Sequence, residues 1–150
     1  MPAVDSQAIA AAVGKGMYAK DRAAQALGIT LLEIRPGYAR MSMAVRGDML
    51  NGHGTCHGGL IFTLADTAFA YACNSGNNAT VAQNCTITFL ASPREGDVLT
   101  ATAQERQRGR RTGFTDIDIA DQTGKLVAVF RGHSYQVNGT VVPNIGTIDQ

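Results

Sequence analysis

At 150 residues the chain has the size of one domain, long enough to bury about 70% of its unfolded surface. Its 45% hydrophobic and 17% charged content describes an ordinary globular protein, and a net charge of +1 supplies no field for nucleic acid or an anionic membrane. Tryptophan is absent and aromatic residues make up 6%, which argues against a base-stacking platform.

The N-terminus shows no basic segment ahead of a long apolar run, so no secretory signal is expected. Residues from about Asp5 to Leu27 are Ala-rich and predict one or two short helices. Gly14 and Gly16 weaken the middle, Asp21 caps a second piece and Gly28 ends it. From Ile29 to Arg46 the pattern alternates, with Met41, Met43 and Val45 on one face and Arg40 and Ser42 on the other. Pro36-Gly37 suits a type II turn, so this is a hairpin.

A Gly- and His-rich loop follows, then Gly58 to Cys73, a run of helical length that is apolar on nearly every side and so predicts a buried helix. Beyond it Val81, Gln83, Cys85, Ile87 and Phe89 alternate with Thr80, Asn84, Thr86 and Thr88, and strand-like runs recur at Val98–Arg106, Thr112–Ala120 and Lys125–Val137. Turn signals at Gly96-Asp97, Gly109 and Asp121–Gly124 separate them. The Gly/Pro-punctuated segment 138–150 is expected to fray. There is no repeat and no internal boundary, so residues 1–150 read as one domain with a helical segment at 5–27 and a core at 29–137. No uncharged apolar run reaches the roughly 18 residues of a membrane span. Consecutive strands with short turns favour an antiparallel sheet, and one long helix must bury itself against a face of it. A curved sheet wrapped around that helix, the α+β hotdog fold, satisfies both.

Asp66 sits in the middle of the apolar helix, where an unpaired charge costs several kcal/mol, of order, unless it is paired, protonated or open to a wet cleft. No i±4 cation is present, since Phe62 and Ala70 hold those positions. Backbone donors, Thr63 or Thr67 are the structural alternative; isolated perturbed acids, however, concentrate at functional sites. Gly58-Gly59 open the same helix, whose first N–H groups lack internal partners and carry partial positive charge. They make a ready site for an oxyanion, tight helix packing being the plainer use of two glycines. Eight residues separate Gly58 from Asp66, about 12 Å of helix. A reacting carbonyl needs donor and acid each about 3 Å away. One helix cannot supply both. Two helices packed antiparallel across a dimer can, with the site shared between subunits.

Asn51-Gly-His-Gly-Thr-Cys-His-Gly-Gly59 followed by Leu64-Ala-Asp-Thr-Ala-Phe-Ala-Tyr-Ala-Cys-Asn74 resembles the phenylacetyl-CoA thioesterase (PaaI) branch of hotdog proteins, as do Cys85–Leu90, Gly96-Asp97 and Phe130–Ser134. The similarity runs from about Ala24 to Asn138. It implies hydrolysis of aromatic acyl-CoA thioesters, phenylacetyl-CoA and its ring-hydroxylated relatives, in support of phenylacetate degradation. By the same resemblance Asp66 attacks the thioester or activates water and Gly58 N–H holds the thioester oxygen. Asn51 and His57 line the cleft, with Thr67 beside the acid. It further implies homodimers that pair into homotetramers, with each site built from two subunits. No metal or redox cofactor is required, CoA being part of the substrate. Members of the branch often carry Arg-Pro after Phe-Leu; here Phe89-Leu90 is followed by Ala91-Ser92-Pro93-Arg94, which displaces that arginine. Arg94, Arg108, Arg110 and Arg111 are the candidates for the CoA phosphates, a solvated basic turn around Gly109 being the alternative.

Other readings use the same residues. His53, Cys56, His57 and Asp66 have ligand types for zinc but no second ligand pair at suitable spacing. Cys56 beside His57 suggests a thiol nucleophile, although adjacent side chains seldom hydrogen-bond each other. His133, near a strand end, reads as structural or surface-facing. An enoyl-CoA hydratase or dehydratase would pair a histidine with an acid, and a non-catalytic acyl-CoA-binding module would need neither. The short N-terminal segment is not basic enough for a DNA-binding element. Three cysteines, odd in number and without Cys-x-x-Cys spacing, predict reduced thiols in a cytoplasm.

Overall fold

Helix α1 (Ser6–Lys20) starts on Asp5, whose carboxylate accepts from Ala8 N–H, and α2 (Arg22–Ala26) starts on Asp21, which accepts from Ala24 N–H at 3.1 Å. The cap at Asp21 is as expected. The weakening at Gly14 is not: α1 runs through it unbroken. A methyl group at Gly14 would lie 2.9 Å from Leu31 Cδ2 and 3.2 Å from Ile34 Cγ2, so the glycine lets α1 press onto the first strand. The computed structural model describes residues 4–148.

Strands β1 (Thr30–Arg35) and β2 (Tyr38–Ala44) form the expected hairpin, and Gly37 takes the positive φ of 71° that its turn requires. Met41 and Met43 are fully buried. A 3-10 turn at Gly47–Met49 and an irregular loop lead to α3 (Gly58–Asn74). Strands β3 (Asn78–Phe89), β4 (Val98–Arg108), β5 (Thr112–Ala120) and β6 (Leu126–Thr140) complete one sheet in the order β1-β2-β4-β5-β6-β3, every neighbouring pair antiparallel. The sheet curves around α3, which touches all six strands and packs chiefly on β2 to β6. Leu64, Ala68, Phe69 and Tyr71 from α3 meet Leu99, Ile117, Ile119 and Phe130 from the sheet in the core. The Phe130 ring stands edge-on to Phe62 at 5.1 Å.

Two expectations need correction. A single face running from Val81 to Phe89 does not hold, because a bulge between Ala82 and Asn84 inserts one residue into β3 opposite β6 and reverses the alternation. Thr80 is therefore buried and Val81 exposed. Nor does the expected frayed tail describe residues 138–148. Strand β6 continues to Thr140, and the buried Asn77 then gathers the chain: its Nδ2 donates to Val142 O (2.9 Å) and Gly146 O (2.7 Å), and its Oδ1 accepts from Val142 N. Ile148 N donates to Gly76 O. Residues 1–3 and 149–150, the outermost parts of the expected domain and tail, lie outside the described residues. Among the described residues no helix is long and apolar enough to cross a membrane.

Candidate active site

Loop 50–57 is shaped by Asn51. Its Oδ1 accepts from His53 N (2.9 Å) and Thr55 N (3.2 Å), and its Nδ2 donates to Thr55 Oγ1 (3.1 Å). Two backbone bonds then fasten the loop, His57 N to Met49 O and Cys56 N to Pro93 O, both 2.8 Å. His57 is the N-cap of α3, and its carbonyl accepts from Leu60 N and Ile61 N. Its imidazole is exposed and makes no capping bond. Gly58 and Gly59 N–H find no acceptor among the described residues. Two donors with the helix dipole behind them thus face outward from one helix start. Beside them a hollow of about 280 Å³ is lined by Asp48, Met49, Leu50, His57, Gly59 and Leu60.

Asp66 is half-buried in the middle of α3, and no hydrogen-bond or ion-pair partner reaches it among the described residues. Burial, and after it the charge of Asp21, push its carboxyl above the usual carboxylate range. Neither threonine satisfies it. Thr63 Oγ1 donates to Gly59 O at 2.9 Å, and Thr67 Oγ1 to Thr63 O at 2.6 Å. Asp21 was legible as a helix cap but not as a neighbour of the acid. Its second carboxylate oxygen accepts from Tyr71 OH at 3.1 Å, and Tyr71 is fully buried, so this pair pins α2 to the helix that carries Asp66.

The four arginines divide between the two ends of α3. Arg94 follows Pro93, whose carbonyl holds the loop ahead of Gly58. Arg110 and Arg111 lie in the β4–β5 turn, at the opposite end, and are exposed; Arg111 Nη1 donates to Gln136 O. Arg108, grouped with them on sequence, is engaged elsewhere. It reaches Glu105 at 3.0, 3.0 and 2.9 Å through Nε and Nη2, and Nη2 also donates to Cys73 O at 2.7 Å. Both side chains of the pair are largely covered. Arg108 holds the end of α3.

Among the described residues no group of three or more His, Cys, Asp or Glu side chains forms a metal-ligating cluster. Cys56 is buried, its thiol is pushed up by burial and it donates to His57 O, an arrangement that opposes thiolate formation. His133 is surface-facing, 5.9 Å from the Phe114 ring.

Residues 53–128 match the thioesterase superfamily model. Over 125 residues the chain is 54% identical to acyl-coenzyme A thioesterase PaaI of Escherichia coli K12, an alignment that spans 83% of this chain and 89% of the relative. It is 33% identical over 103 residues to human acyl-coenzyme A thioesterase 13, spanning 67% and 74%. The solved structure of E. coli PaaI, from the phenylacetic acid degradation operon, superimposes with a TM-score of 0.88 at 51% identity, covering 89% of this chain and 97% of that one. A hypothetical thioesterase from Streptococcus pneumoniae, solved with coenzyme A, does so with a TM-score of 0.78 at 25% identity, covering 83% and 98%. The shared fold and the extent of these matches agree, and the chain belongs to the thioesterase superfamily, in its PaaI branch.

Proposed function

We propose that the chain hydrolyses aromatic acyl-CoA thioesters, phenylacetyl-CoA and its ring-hydroxylated relatives, to the free acid and CoA, in support of phenylacetate degradation in the cytoplasm. One observation carries the reading: among the described residues, α3 begins on two N–H groups without acceptors and bears, two turns on, a carboxylate without a partner. The substrate class comes from the relatives' names, and the three free cysteines fit a reducing compartment. Gly58 N–H and the helix dipole hold the carbonyl oxygen as it gains charge. The Asp66 carboxylate attacks the carbonyl carbon, or takes a proton from the water that does. The C–S bond then breaks, and the CoA sulfur leaves with a proton taken up from water; after direct attack a water molecule opens the acyl–Asp66 anhydride, which releases the free acid and restores the carboxylate. CoA enters and departs with the substrate, and no further cofactor is assigned. His57 and Asn51 line the cleft, with Thr67 beside the acid. Arg94, Arg110 and Arg111 are the candidates for the CoA phosphates.

The active unit is a two-fold homodimer in which Gly58 of one subunit works with Asp66 of the other, since the two stand about 12 Å apart along a single helix. Strand β3 supports this. It is twelve residues long, sits at the edge of the sheet and, among the described residues, pairs with β6 alone. An open edge of that length invites a second strand, and antiparallel pairing of two β3 edges sets the two α3 helices side by side in opposite directions. Two such dimers make the tetramer.

Release of free thiol, measured as kcat/KM over a panel of acyl-CoA substrates, tests the reading. Phenylacetyl-CoA is expected to lead the panel, and Asp66→Asn to lose at least about 10²-fold in kcat. A loss of only a few-fold makes Asp66 structural and removes the central claim. Single-turnover hydrolysis in ¹⁸O-water separates the two routes, because only direct attack leaves label in Asp66. Mixing Asp66→Ala subunits with Gly58→Pro subunits tests the shared site. Each heterodimer then has one intact site of two, and about half the wild-type activity per heterodimer should return. No recovery after verified exchange refutes the sharing.

A further inference from the structure

The helix start has a wall on one side only. A methyl group in place of the Gly58 hydrogen would lie 3.0 Å from Phe89 Cζ and 3.3 and 3.4 Å from Cε1 and Cε2. The tip of that ring therefore rests against the Gly58 backbone, and a side chain at this position would crowd it. On Gly59 a methyl group would meet nothing within 4 Å. A ligand that reaches the two N–H donors comes in over Gly59, and whatever flanks its oxygen on the other side meets the ring. Phe89 is not a mobile loop residue. It closes β3 opposite Ala128, and the next two amides, Leu90 N and Ala91 N, both bond to Val127 O. Yet 49% of Phe89 is exposed, as is 54% of Leu90. A fixed aromatic ring, half-open beside two unpartnered donors, offers apolar surface that an apolar ligand group can cover.

We infer that the Phe89 ring is the wall against which the acyl group of the substrate packs, and that it selects aromatic over saturated acyl groups of the same reach. The inference rests on the proposed thioester hydrolysis for the place of the carbonyl and adds the residue that reads the acyl group. The phenyl ring of phenylacetyl-CoA, one methylene from the carbonyl carbon, meets the Phe89 ring edge-to-face or offset-stacked. A saturated chain gains contact area there but no ring pairing, and the difference corresponds to about three- to ten-fold in preference.

The test compares phenylacetyl-CoA with hexanoyl-CoA in wild type, Phe89→Leu and Phe89→Tyr. Phe89→Leu keeps an apolar wall without a ring and is expected to lower the phenylacetyl-to-hexanoyl ratio of kcat/KM by about three- to ten-fold. Phe89→Tyr keeps the ring and should leave the ratio within two-fold. An unchanged ratio in Phe89→Leu, or an equal fall for both substrates, overturns the inference, since the ring then only shapes the Gly58 backbone. Affinities of S-(2-oxo-3-phenylpropyl)-CoA and S-(2-oxoheptyl)-CoA, measured by calorimetry, separate this outcome from failure of the hydrolysis itself. These ketones keep the carbonyl and cannot be hydrolysed. If no thioester is cleaved, the proposed reaction falls, while the same loss of phenyl preference in Phe89→Leu binding is still required here, and its absence refutes the role of the ring.

Discussion

Replacing Arg108 by Met decides between two uses of that residue. In the structure its guanidinium meets Glu105 three times at 2.9–3.0 Å and Cys73 O at 2.7 Å, with side-chain exposures of 16% for the arginine and 14% for the glutamate. Methionine fills the stem but leaves a covered carboxylate without its counter-charge and the Cys73 carbonyl without this donor. Removing one partner of a fully buried pair costs about 3–5 kcal/mol. Charge-assisted hydrogen bonds contribute about 1.5–3 kcal/mol each, and the residual water contact here moves the sum to the lower end, about 3 kcal/mol. For a chain of this length that lowers Tm by roughly 6–12 °C. Thermal unfolding at matched protein concentration, together with KM for an acyl-CoA, is the measurement. The expected result is a large fall in Tm with KM within about two-fold. Pairing Arg108→Met with Glu105→Leu should recover much of the loss, because an empty pair costs less than half of one. A Tm within about 2 °C of wild type with KM raised several-fold would refute the structural assignment and return Arg108 to the CoA phosphates.

Asp66→Asn should melt higher than wild type at pH 7. Burial, with the charge of Asp21 behind it, raises the folded carboxyl, so ionisation works against folding above that raised value and not below the ordinary Asp value of about 3.9. The gap between the two melting curves should therefore close as pH falls below about 4, and a constant gap would remove burial as its cause. In the proposed reaction the same raised carboxyl must ionise, so the acid limb of kcat/KM is expected to have its midpoint above about 4, and Asp21→Asn to move it downward; an unmoved limb argues against the coupling. Tyr71→Phe deletes a buried hydroxyl that donates to Asp21 and should cost about 2 kcal/mol, seen as a Tm lower by roughly 4–8 °C. A Tm unchanged within error would mean the pair does not hold α2 in place.

Features set by a few neighbouring residues were legible in the sequence. The cap at Asp21, the Pro36-Gly37 turn and the long apolar helix α3 each follow from local chemistry, and the structure keeps them. What escaped depends on pairing partners far along the chain. The bulge of β3 arises where it is matched to β6, and no local residue type marks it. Arg108 and Glu105 illustrate the consequence. Three apart on a regular strand they would point to opposite faces, but a register shift between Glu105 and Gln107 turns them to the same side. The arginine then looked like one more member of a basic turn. Asn77 likewise reads as an ordinary loop residue, and only its contacts with Val142 and Gly146, more than sixty positions away, reveal why the tail is ordered. Phe89 was visible as a strand residue, and nothing in the sequence placed its ring on Gly58.

The two ends of α3 are fastened very unequally. At its C-terminal end Asn74 exchanges two hydrogen bonds with Thr80, Ser75 Oγ accepts from Gly37 N, and Arg108 grips the Cys73 carbonyl. At the other end the backbone amides of Gly58 and Gly59 find no acceptor among the described residues. Local opening therefore costs least at the tip that would receive the substrate carbonyl and most at the far end. Amide hydrogen exchange should show this as a gradient along one helix, with Gly58 to Leu60 exchanging quickly and Ala72 to Asn74 protected nearly to the level of global unfolding. A bound acyl-CoA would slow the fast end selectively, so the free donors serve as a built-in reporter of occupancy.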